Sequence, residues 1–284
     1  MTIRQALIKY HCIEIELLLA DLLGKSKEFL FMNPGHSLSA GQLISLSALV
    51  KRRESGEPMA YILGYKDFYG LKFKVNRNVL IPRPETEWVV ERIRNYELEI
   101  MNGKPFRVLD VGTGSGCIVI SLAKLLPPSP NPSRQGRGKL QFCASDMSSE
   151  ALKIAKQNAK KYKVKIKFIK SDLLKNIKGN FDVIIANLPY GWRGVKNRFS
   201  SVKDGLKFEP KKALYTSERG LREIRRLLQQ VALLKNKPKL VYLEFDPRQK
   251  RELGSLIKKS LPGSKTKFYK DYNGFWRYAE VIPL

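Results

Sequence analysis

The segment Asn187-Leu188-Pro189-Tyr190, which follows the apolar run Phe181–Ala186, could hold and activate a planar nitrogen. An amide nitrogen is a poor nucleophile because its lone pair is delocalised into the carbonyl group. Two acceptors aimed at its hydrogens make it more electron-rich, and the Asn187 side-chain oxygen and Leu188 carbonyl oxygen can supply them. Pro189 restricts Leu188 to extended backbone and holds that carbonyl in place, while Tyr190 can pack on the planar group. The competing interpretation is a plain strand-end turn, because Asn-Leu-Pro is also good turn chemistry.

A glycine-rich turn at residues 112–116 (Gly-Thr-Gly-Ser-Gly) joins the apolar run Phe106–Val111 to the helical run Ile118–Leu126. Glycine backbone can turn tightly and approach a ligand closely. The N-terminus of the next helix offers amide donors to a carboxylate or phosphate. The G-x-G-x-G spacing differs from the G-x-G-x-x-G of dinucleotide sites, and the lack of G-K-[ST] excludes a P-loop. The turn is therefore a candidate cofactor site.

Polar residues follow the next two predicted strands, where a nucleoside could be held. Asp146 comes directly after Leu140–Ser145, and its carboxylate can accept from both ribose hydroxyls. Asp172 and Leu173 follow Lys165–Lys170, where a polar group can bond an adenine amino group while an apolar neighbour packs on the ring. The alternatives are an N-cap role for Asp146 on a helix at 149–162 and an ordinary loop at 172–173. Because the glycine-rich turn, Asp146 and Asp172 follow three predicted strands that end at the same edge of the sheet, we favour the nucleoside site.

From residue 105 onwards strand and helix patterns alternate, which predicts a mostly parallel sheet covered by helices on both faces. The helical patterns include 149–162 and 221–234. A turn signal at 271–274 (Asp-Tyr-Asn-Gly) separates the last two strands and predicts an antiparallel hairpin. The seven predicted strands are Phe106–Val111, Leu140–Ser145, Lys165–Lys170, Phe181–Ala186, Leu240–Phe245, Lys265–Tyr269 and Trp276–Ile282.

We expect three segments along the chain. Residues 1–64 show helical spacing, with a helix ending at Gly24 and a capping-box pattern from Ser39 to Gln42, and predict a small helical domain. Residues 65–84 combine a β-hairpin around Gly70 with a stiff Pro-rich linker. Residues 85–284 form the α/β domain. Within it, the Pro-rich stretch 127–139 cannot bury apolar area and is expected to be a mobile inserted loop.

Composition limits the classes of partner and site. The chain has 53 Lys and Arg against 26 Asp and Glu, a net charge of +27. We expect at most weak, non-specific contact with nucleic acid or the ribosome, unless the lysines simply fill exposed positions. Cys12, Cys117 and Cys143 lack metal-binding spacing, so no metal is expected. The apolar stretch Ile13–Leu23 is interrupted by acids and predicts neither a signal sequence nor a membrane span, so we expect a cytoplasmic monomer.

Two patterns resemble a known class of enzyme. Residues 187–190 match the [ND]-[PIL]-P-[YFW] motif of methyltransferases that act on exocyclic amines and amides, and Asp110 before the glycines is typical of them. Seven strands ending in a hairpin are the layout of the Rossmann-like class I methyltransferases. The resemblance implies S-adenosyl-L-methionine as cofactor, a catalytic role for Asn187, Pro189 and Tyr190, and substrate contact by these three and Leu188. It places at the cofactor Gly112, Thr113, Gly114, Ser115, Gly116, Asp146, Asp172, Leu173 and Asn187.

Segments outside this core resemble one family. They are 56–64 (Gly-Glu-Pro-Met-Ala-Tyr-Ile-Leu-Gly), 68–71 (Phe-Tyr-Gly-Leu), 81–87 (Ile-Pro-Arg-Pro-Glu-Thr-Glu), 208–210 (Phe-Glu-Pro), 213–214 (Ala-Leu) and 271–272 (Asp-Tyr). In this order they resemble the release-factor glutamine methyltransferase (HemK) family over nearly the whole chain, and 81–87 is the most specific. The resemblance implies methylation of the glutamine N5 in the Gly-Gly-Gln motif of class I peptide-chain release factors. The helical domain and hairpin would help to dock the factor.

Three departures from that family leave alternatives open. The family usually has proline where Leu188 stands and often an aromatic or other bulky residue at Leu173, and it commonly has a glycine after the fifth strand, which 243–246 lacks. One alternative is an adenine-N6 methyltransferase acting on rRNA or DNA, since several such enzymes carry Asn-Leu-Pro-Tyr. The others are a glutamine methyltransferase for ribosomal protein L3 and a non-enzymatic, basic nucleic-acid-binding module on a methyltransferase fold.

Overall fold

The computed structural model describes residues 1–10, 14–100, 106–126, 140–192 and 205–284. The stretch 127–139, for which we predict an inserted loop, lies outside the described residues, as does Cys12. The chain divides into two compact units, one of residues 1–65 with 204–208 and one of residues 66–203 with 209–284.

The smaller unit is built from five helices around one apolar core. Fully buried side chains in this core include Ile3, Leu18, Leu19, Leu30 and Leu46. Gly24 ends the second helix in the left-handed conformation (φ 61°), and Ser39 with Gln42 forms the predicted capping box of the fourth. The helices are α1 (Ile3–Lys9), α2 (Ile15–Leu23), α3 (Lys27–Met32), α4 (Ala40–Glu54) and α5 (Met59–Leu63).

The larger unit contains a hairpin, β1 (Tyr65–Phe68) with β2 (Leu71–Lys74), and a seven-stranded sheet of order β5-β4-β3-β6-β7-β9-β8. β9 is antiparallel to both β7 and β8, and the other pairs are parallel. This confirms the predicted mostly parallel sheet with a C-terminal antiparallel hairpin, and the predicted strand bounds hold within two residues. The strands are β3 (Phe106–Val111), β4 (Leu140–Asp146), β5 (Ile166–Lys170), β6 (Val183–Ala186), β7 (Leu240–Glu244), β8 (Lys265–Lys270) and β9 (Trp276–Ile282).

Helices cover both faces of this sheet, so its central strand at Val183–Ala186 is apolar and buried at every position. Successive side chains of a strand point to opposite faces. Val183 accordingly packs in one core cluster with the helices at 87–100 and 117–125, while Ile184 packs in the other with the helices at 222–232 and 250–260. The helices of this unit are α6 (Glu87–Ile100), α7 (Cys117–Leu125), α8 (Ser149–Lys161), α9 (Lys211–Leu214), α10 (Arg222–Ala232) and α11 (Lys250–Ser260). Across the described residues, no helix is both long and apolar enough to cross a membrane.

Buried Asn158 on α8 joins the hairpin to the glycine-rich turn. Its Oδ1 accepts from the Lys74 backbone N–H at 2.8 Å, and its Nδ2 donates to the Lys74 carbonyl at 3.0 Å and to the Ser115 carbonyl at 2.9 Å. Because these three backbone groups belong to segments far apart in sequence, one side chain holds the turn against a second element.

Replacing Asn158 by Ala removes all three bonds, and we expect a loss of about 2–4 kcal/mol of unfolding free energy, since each buried unpaired polar group costs about 1–3 kcal/mol. Gln157→Ala, at an exposed position of the same helix, should change stability by less than about 0.5 kcal/mol. Urea unfolding of both variants measures the difference. An Asn158→Ala protein as stable as the Gln157→Ala control would contradict this role.

Candidate active site

A cavity of about 1870 Å³ opens where the parallel strands β3, β4, β5 and β6 end. Sites for one small ligand commonly measure about 300–1,000 Å³, so this one has room for a cofactor and part of a second molecule. The structure brings most of the predicted site residues to its wall: Gly112, Thr113, Gly114, Ser115, Asp146, Asp172, Leu173, Asn187, Leu188 and Pro189. Gly116 and Tyr190 lie beside the cavity and are absent from its described lining.

The glycine-rich turn presents bare backbone to this cavity. Gly114 has φ 56° and a Cβ built on it meets no atom within 4 Å, so a ligand can approach its backbone closely. Gly116, in contrast, caps the start of α7, and a Cβ there would lie 2.8 Å from Ile120 Cδ1. Gly114 therefore borders open space, and Gly116 allows close packing.

Asp110 is not among the predicted site residues, yet it holds the glycine-rich turn through a hydrogen bond to Thr113. Its Oδ2 accepts from the Thr113 hydroxyl at 2.6 Å, and the side chain is buried. Burial raises the pKa of Asp110 to about 7, although the Thr113 hydrogen bond acts in the opposite direction.

Asp146 also holds the turn while lining the cavity. Its Oδ2 accepts from the Gly114 N–H at 3.0 Å and its Oδ1 accepts from the Ser148 N–H at 2.8 Å. Burial raises the pKa of Asp146, and these backbone donors partly offset that effect. The helix α8 is capped by Ser148, whose hydroxyl accepts from the Ala151 N–H at 3.2 Å. The alternative that Asp146 is the N-cap of this helix is therefore wrong.

Asp172 and Leu173 lie side by side at the third strand end. Asp172 Oδ2 pairs with Arg226 Nη2 at 2.5 Å. Leu173 is buried at the cavity wall. Its backbone has φ 52°, a left-handed conformation that is uncommon for residues other than glycine.

The side chain of Asn187 is oriented by two acceptors. Its Nδ2 donates to Thr86 Oγ1 at 3.2 Å and to Glu244 Oε2 at 3.0 Å. Nδ2 therefore faces two acceptors, and within the described residues no donor bonds the Asn187 oxygen. Because Asn187 lines the cavity, that oxygen is free to accept from a ligand.

Leu188 connects the Asn187 segment to the glycine-rich turn. Its side chain is 4% exposed, and its Cδ2 lies 3.1 Å from the position that a Cβ on Gly112 would take. Gly112 also has φ 73°, so a larger residue there would be strained and would push on Leu188. The two halves of the cavity wall thus touch directly.

Glu244 and Thr86 are site residues that the sequence analysis missed. Glu244, at the end of β7, is buried, and its Oε1 accepts from the Tyr190 hydroxyl at 3.0 Å. Burial raises the pKa of Glu244, opposed by the charge of Arg277 and by its hydrogen bonds. Thr86 lies in the motif 81–87, and an acid at a strand end is the signal that pointed to Asp146. Applied to β7, the same signal would have found Glu244.

No group of three or more His, Cys, Asp or Glu side chains is placed to hold a metal ion within the part of the chain that the structure describes. The polar groups of the cavity include carboxylates, amides, hydroxyls and backbone N–H groups, together with several Lys and Arg side chains. Such a set suits a nucleoside-like ligand and a planar amide or amine.

Comparisons with known proteins agree with this architecture. Residues 2–64 match the family model "PrmC N-terminal domain" and residues 102–260 match "Methyltransferase domain". The release factor glutamine methyltransferase of Haemophilus influenzae is 30% identical over 93% of this chain and 91% of its own length. That of Koribacter versatilis is 40% identical over 76% of this chain and 72% of its own.

Among solved structures, the hMettl16 catalytic domain in complex with the MAT2A 3'UTR hairpin 6 superposes with a TM-score of 0.56 at 16% identity. The superposition covers 93% of this chain and 92% of that one. At this low identity the likeness shows a shared fold.

The buried Asp110 makes a testable contribution to stability. An acid whose pKa is higher in the folded state binds its proton more tightly there. Its stabilisation is therefore present below about pH 4 and is lost as the pH rises through about 7. Asp110→Asn abolishes this titration. The unfolding free energy of the variant relative to wild type should rise between pH 4 and 8, by about 1.4 kcal/mol for each unit of pKa elevation. Urea unfolding at pH 4, 6 and 8 tests this, and a difference that stays constant with pH would contradict it.

Proposed function

The chain belongs to the release factor glutamine methyltransferase family, and we propose that it methylates the side-chain amide N5 of the glutamine in the Gly-Gly-Gln motif of class I peptide-chain release factors. The observation that carries this proposal is the Asn187 amide, whose nitrogen faces two acceptors of the protein and whose oxygen is left to a ligand in the cavity. An oxygen in that place accepts a hydrogen from a substrate NH₂ group and raises the electron density on its nitrogen.

S-adenosyl-L-methionine, the proposed cofactor, supplies an electrophilic methyl group when it is bound. Two observations support its fit to the cavity. The Gly114 backbone borders space that a Cβ would fill, and Asp146 places a carboxylate on the wall, suited to ribose hydroxyls. We assign cofactor binding to Gly112, Thr113, Gly114, Ser115, Gly116, Asp146, Asp172, Leu173 and Asn187. Leu173 would pack on the adenine ring, and Asp172 Oδ1 would accept from the adenine amino group while Oδ2 stays with Arg226.

The substrate glutamine would be held by residues 187–190. Asn187 Oδ1 and the Leu188 carbonyl oxygen accept its two amide hydrogens, and Pro189 keeps Leu188 extended. This arrangement supplies position and charge complementarity, which are the main contributions a protein makes when both reactants are bound side by side. Tyr190 contributes from beside the cavity, through its hydrogen bond to Glu244. A general base is not required, because the methylated cationic nitrogen is strongly acidic.

We assign the docking of the release factor to the helical domain at residues 1–64 and to the hairpin and linker at 65–84, and the chemistry to the domain at 85–284. The excess of basic residues, 53 against 26 acidic ones, supports only weak and non-specific contact with nucleic acid or the ribosome. We place the protein in the cytoplasm as a monomer.

Incubation with S-adenosyl-L-methionine labelled in the methyl group tests the substrate. Purified class I release factor, the same factor with the Gly-Gly-Gln glutamine replaced by alanine, and rRNA are offered together and separately. We expect label in the unaltered factor alone. Label in rRNA alone would overturn the proposal in favour of an adenine methyltransferase, and calorimetry that detects no cofactor binding would overturn the enzyme itself.

Asn187→Ala should lower kcat by ~10²-fold or more, the effect expected for losing one preorganised hydrogen-bonding group in an active site. Asn176→Ala, at an exposed position outside the cavity lining, serves as the matched control and should keep near wild-type activity. Steady-state methylation of the release factor measures both. An Asn187→Ala enzyme close to wild-type speed would refute the assigned role.

A further inference from the structure

The buried carboxylate of Glu244 receives three hydrogen bonds, one from Thr86 and two from the segment 187–190. Its Oε2 accepts from Thr86 Oγ1 at 2.8 Å and from Asn187 Nδ2 at 3.0 Å, and its Oε1 accepts from the Tyr190 hydroxyl at 3.0 Å. The side chain is 2% exposed, so water does not compete for these oxygens. Thr86 and Asn187 line the cavity, whereas Glu244 is absent from its described lining and acts from behind them.

The direction of every bond in this cluster follows from one property of a carboxylate, which is that it only accepts. Thr86 gives its single hydroxyl hydrogen to Glu244, so the Thr86 oxygen can only accept from Asn187. Asn187 therefore faces two acceptors on one side, and only its Nδ2 can satisfy both.

The opposite orientation of the Asn187 amide is disfavoured by the same geometry. Rotating the amide by half a turn would put Oδ1 against Glu244 Oε2, which has no hydrogen to give, and Thr86 could donate to Oδ1 only by withdrawing its hydrogen from Glu244. It would also leave the buried carboxylate short of a donor. In a buried cluster an unpaired polar group costs more than a hydrogen bond gains.

We infer that Glu244 and Thr86 are positioning residues for methyl transfer, which lock the Asn187 amide so that its oxygen faces the substrate nitrogen. This inference rests on the proposed function. The inference also explains the threonine of the motif 81–87: although Thr86 is far from residues 187–190 in sequence, its hydroxyl orients Asn187. Tyr190 is held by the same carboxylate, so one buried side chain aligns both ends of the segment that holds the substrate.

We call the pair Glu244 and Thr86, which orients the Asn187 amide, the clamp. The kinetics of four variants test it. Glu244→Ala should lower kcat for release factor methylation by ~10²-fold, similar to Asn187→Ala, because a freely rotating amide no longer presents a preorganised acceptor. Thr86→Val, which lacks the hydroxyl, should lower kcat by roughly tenfold or more for the same reason, and Thr86→Ser should restore it. Glu244→Gln keeps an oxygen for Thr86 and Asn187 and should remain within about tenfold of wild type. The affinity for S-adenosyl-L-methionine, measured by calorimetry, should fall much less than kcat in all four, because Asn187 is only one of the residues that we assign to the cofactor.

Glu280 provides a matched control. It is a buried glutamate on the neighbouring strand β9, and it accepts from Arg92 at 2.6 Å and from the Tyr269 hydroxyl at 2.6 Å, outside the cavity lining. Glu280→Ala should lower thermal stability as Glu244→Ala does, yet leave the kcat of the folded enzyme within about threefold of wild type, since surface and core changes away from a site act mainly through stability. A purely structural role for Glu244 would make the two alanine variants equal in kcat.

A second measurement needs no substrate. In protein labelled with ¹⁵N at asparagine, the Asn187 side-chain resonance is assigned by its loss in Asn187→Ala. Its NH₂ protons should exchange slowly with solvent in wild type and Glu244→Gln, and quickly in Glu244→Ala. Slow exchange in Glu244→Ala would overturn the clamp. So would a folded Glu244→Ala enzyme with kcat near wild type, or a Glu244→Gln enzyme as slow as Glu244→Ala. If wild type shows slow exchange but does not methylate the release factor, the proposed substrate fails and the clamp stands.

Discussion

The orientation of one buried amide determines what the cavity can do with a planar nitrogen. An asparagine can present either an acceptor or two donors to a ligand, and the two have opposite effects on a substrate NH₂ group. Glu244 and Thr86 both accept from Asn187 Nδ2 and leave the oxygen to the cavity. An ionised carboxylate has no hydrogen to give, so it can only accept from Asn187. The protein therefore sets the orientation of the Asn187 amide before any substrate binds.

Three carboxylates, buried Asp110 and Glu244 and half-buried Asp146, lie at this edge of the sheet, and each accepts hydrogen bonds from groups that shape the site. Burial raises the pKa of Asp110, Asp146 and Glu244 alike. A buried acid is stable only with hydrogen-bond donors, and the donors here are the glycine-rich turn and the segment that begins at Asn187. The hydrogen bonds that stabilise these acids therefore also hold the glycine-rich turn and the Asn187 segment, which form two walls of the cavity, in place.

The cavity walls are coupled by packing as well as by hydrogen bonds. Leu188 lies against Gly112, at a position where the family usually has proline. A proline would restrain the backbone through its ring, whereas leucine restrains it through a buried side chain in contact with the turn. Asn158 secures the same turn from the other side through the Ser115 carbonyl. The turn is thus fixed by apolar packing and by hydrogen bonds from distant parts of the chain.

By itself the sequence determined what depends on neighbouring residues: strand positions within two residues, the capping box at Ser39, the glycine-rich turn and the segment 187–190. These signals are contiguous or periodic, so local physics is enough to recognise them. It did not single out helix α11, Lys250–Ser260, because Gly254 and several charged residues interrupt its apolar spacing. Only the tertiary structure decided that Ser148, and not Asp146, caps α8, and that Thr86, Asn187 and Glu244 meet. Asn187 lies 101 residues from Thr86 and 57 from Glu244, and hydrogen bonds between such distant segments leave no periodic trace along a chain.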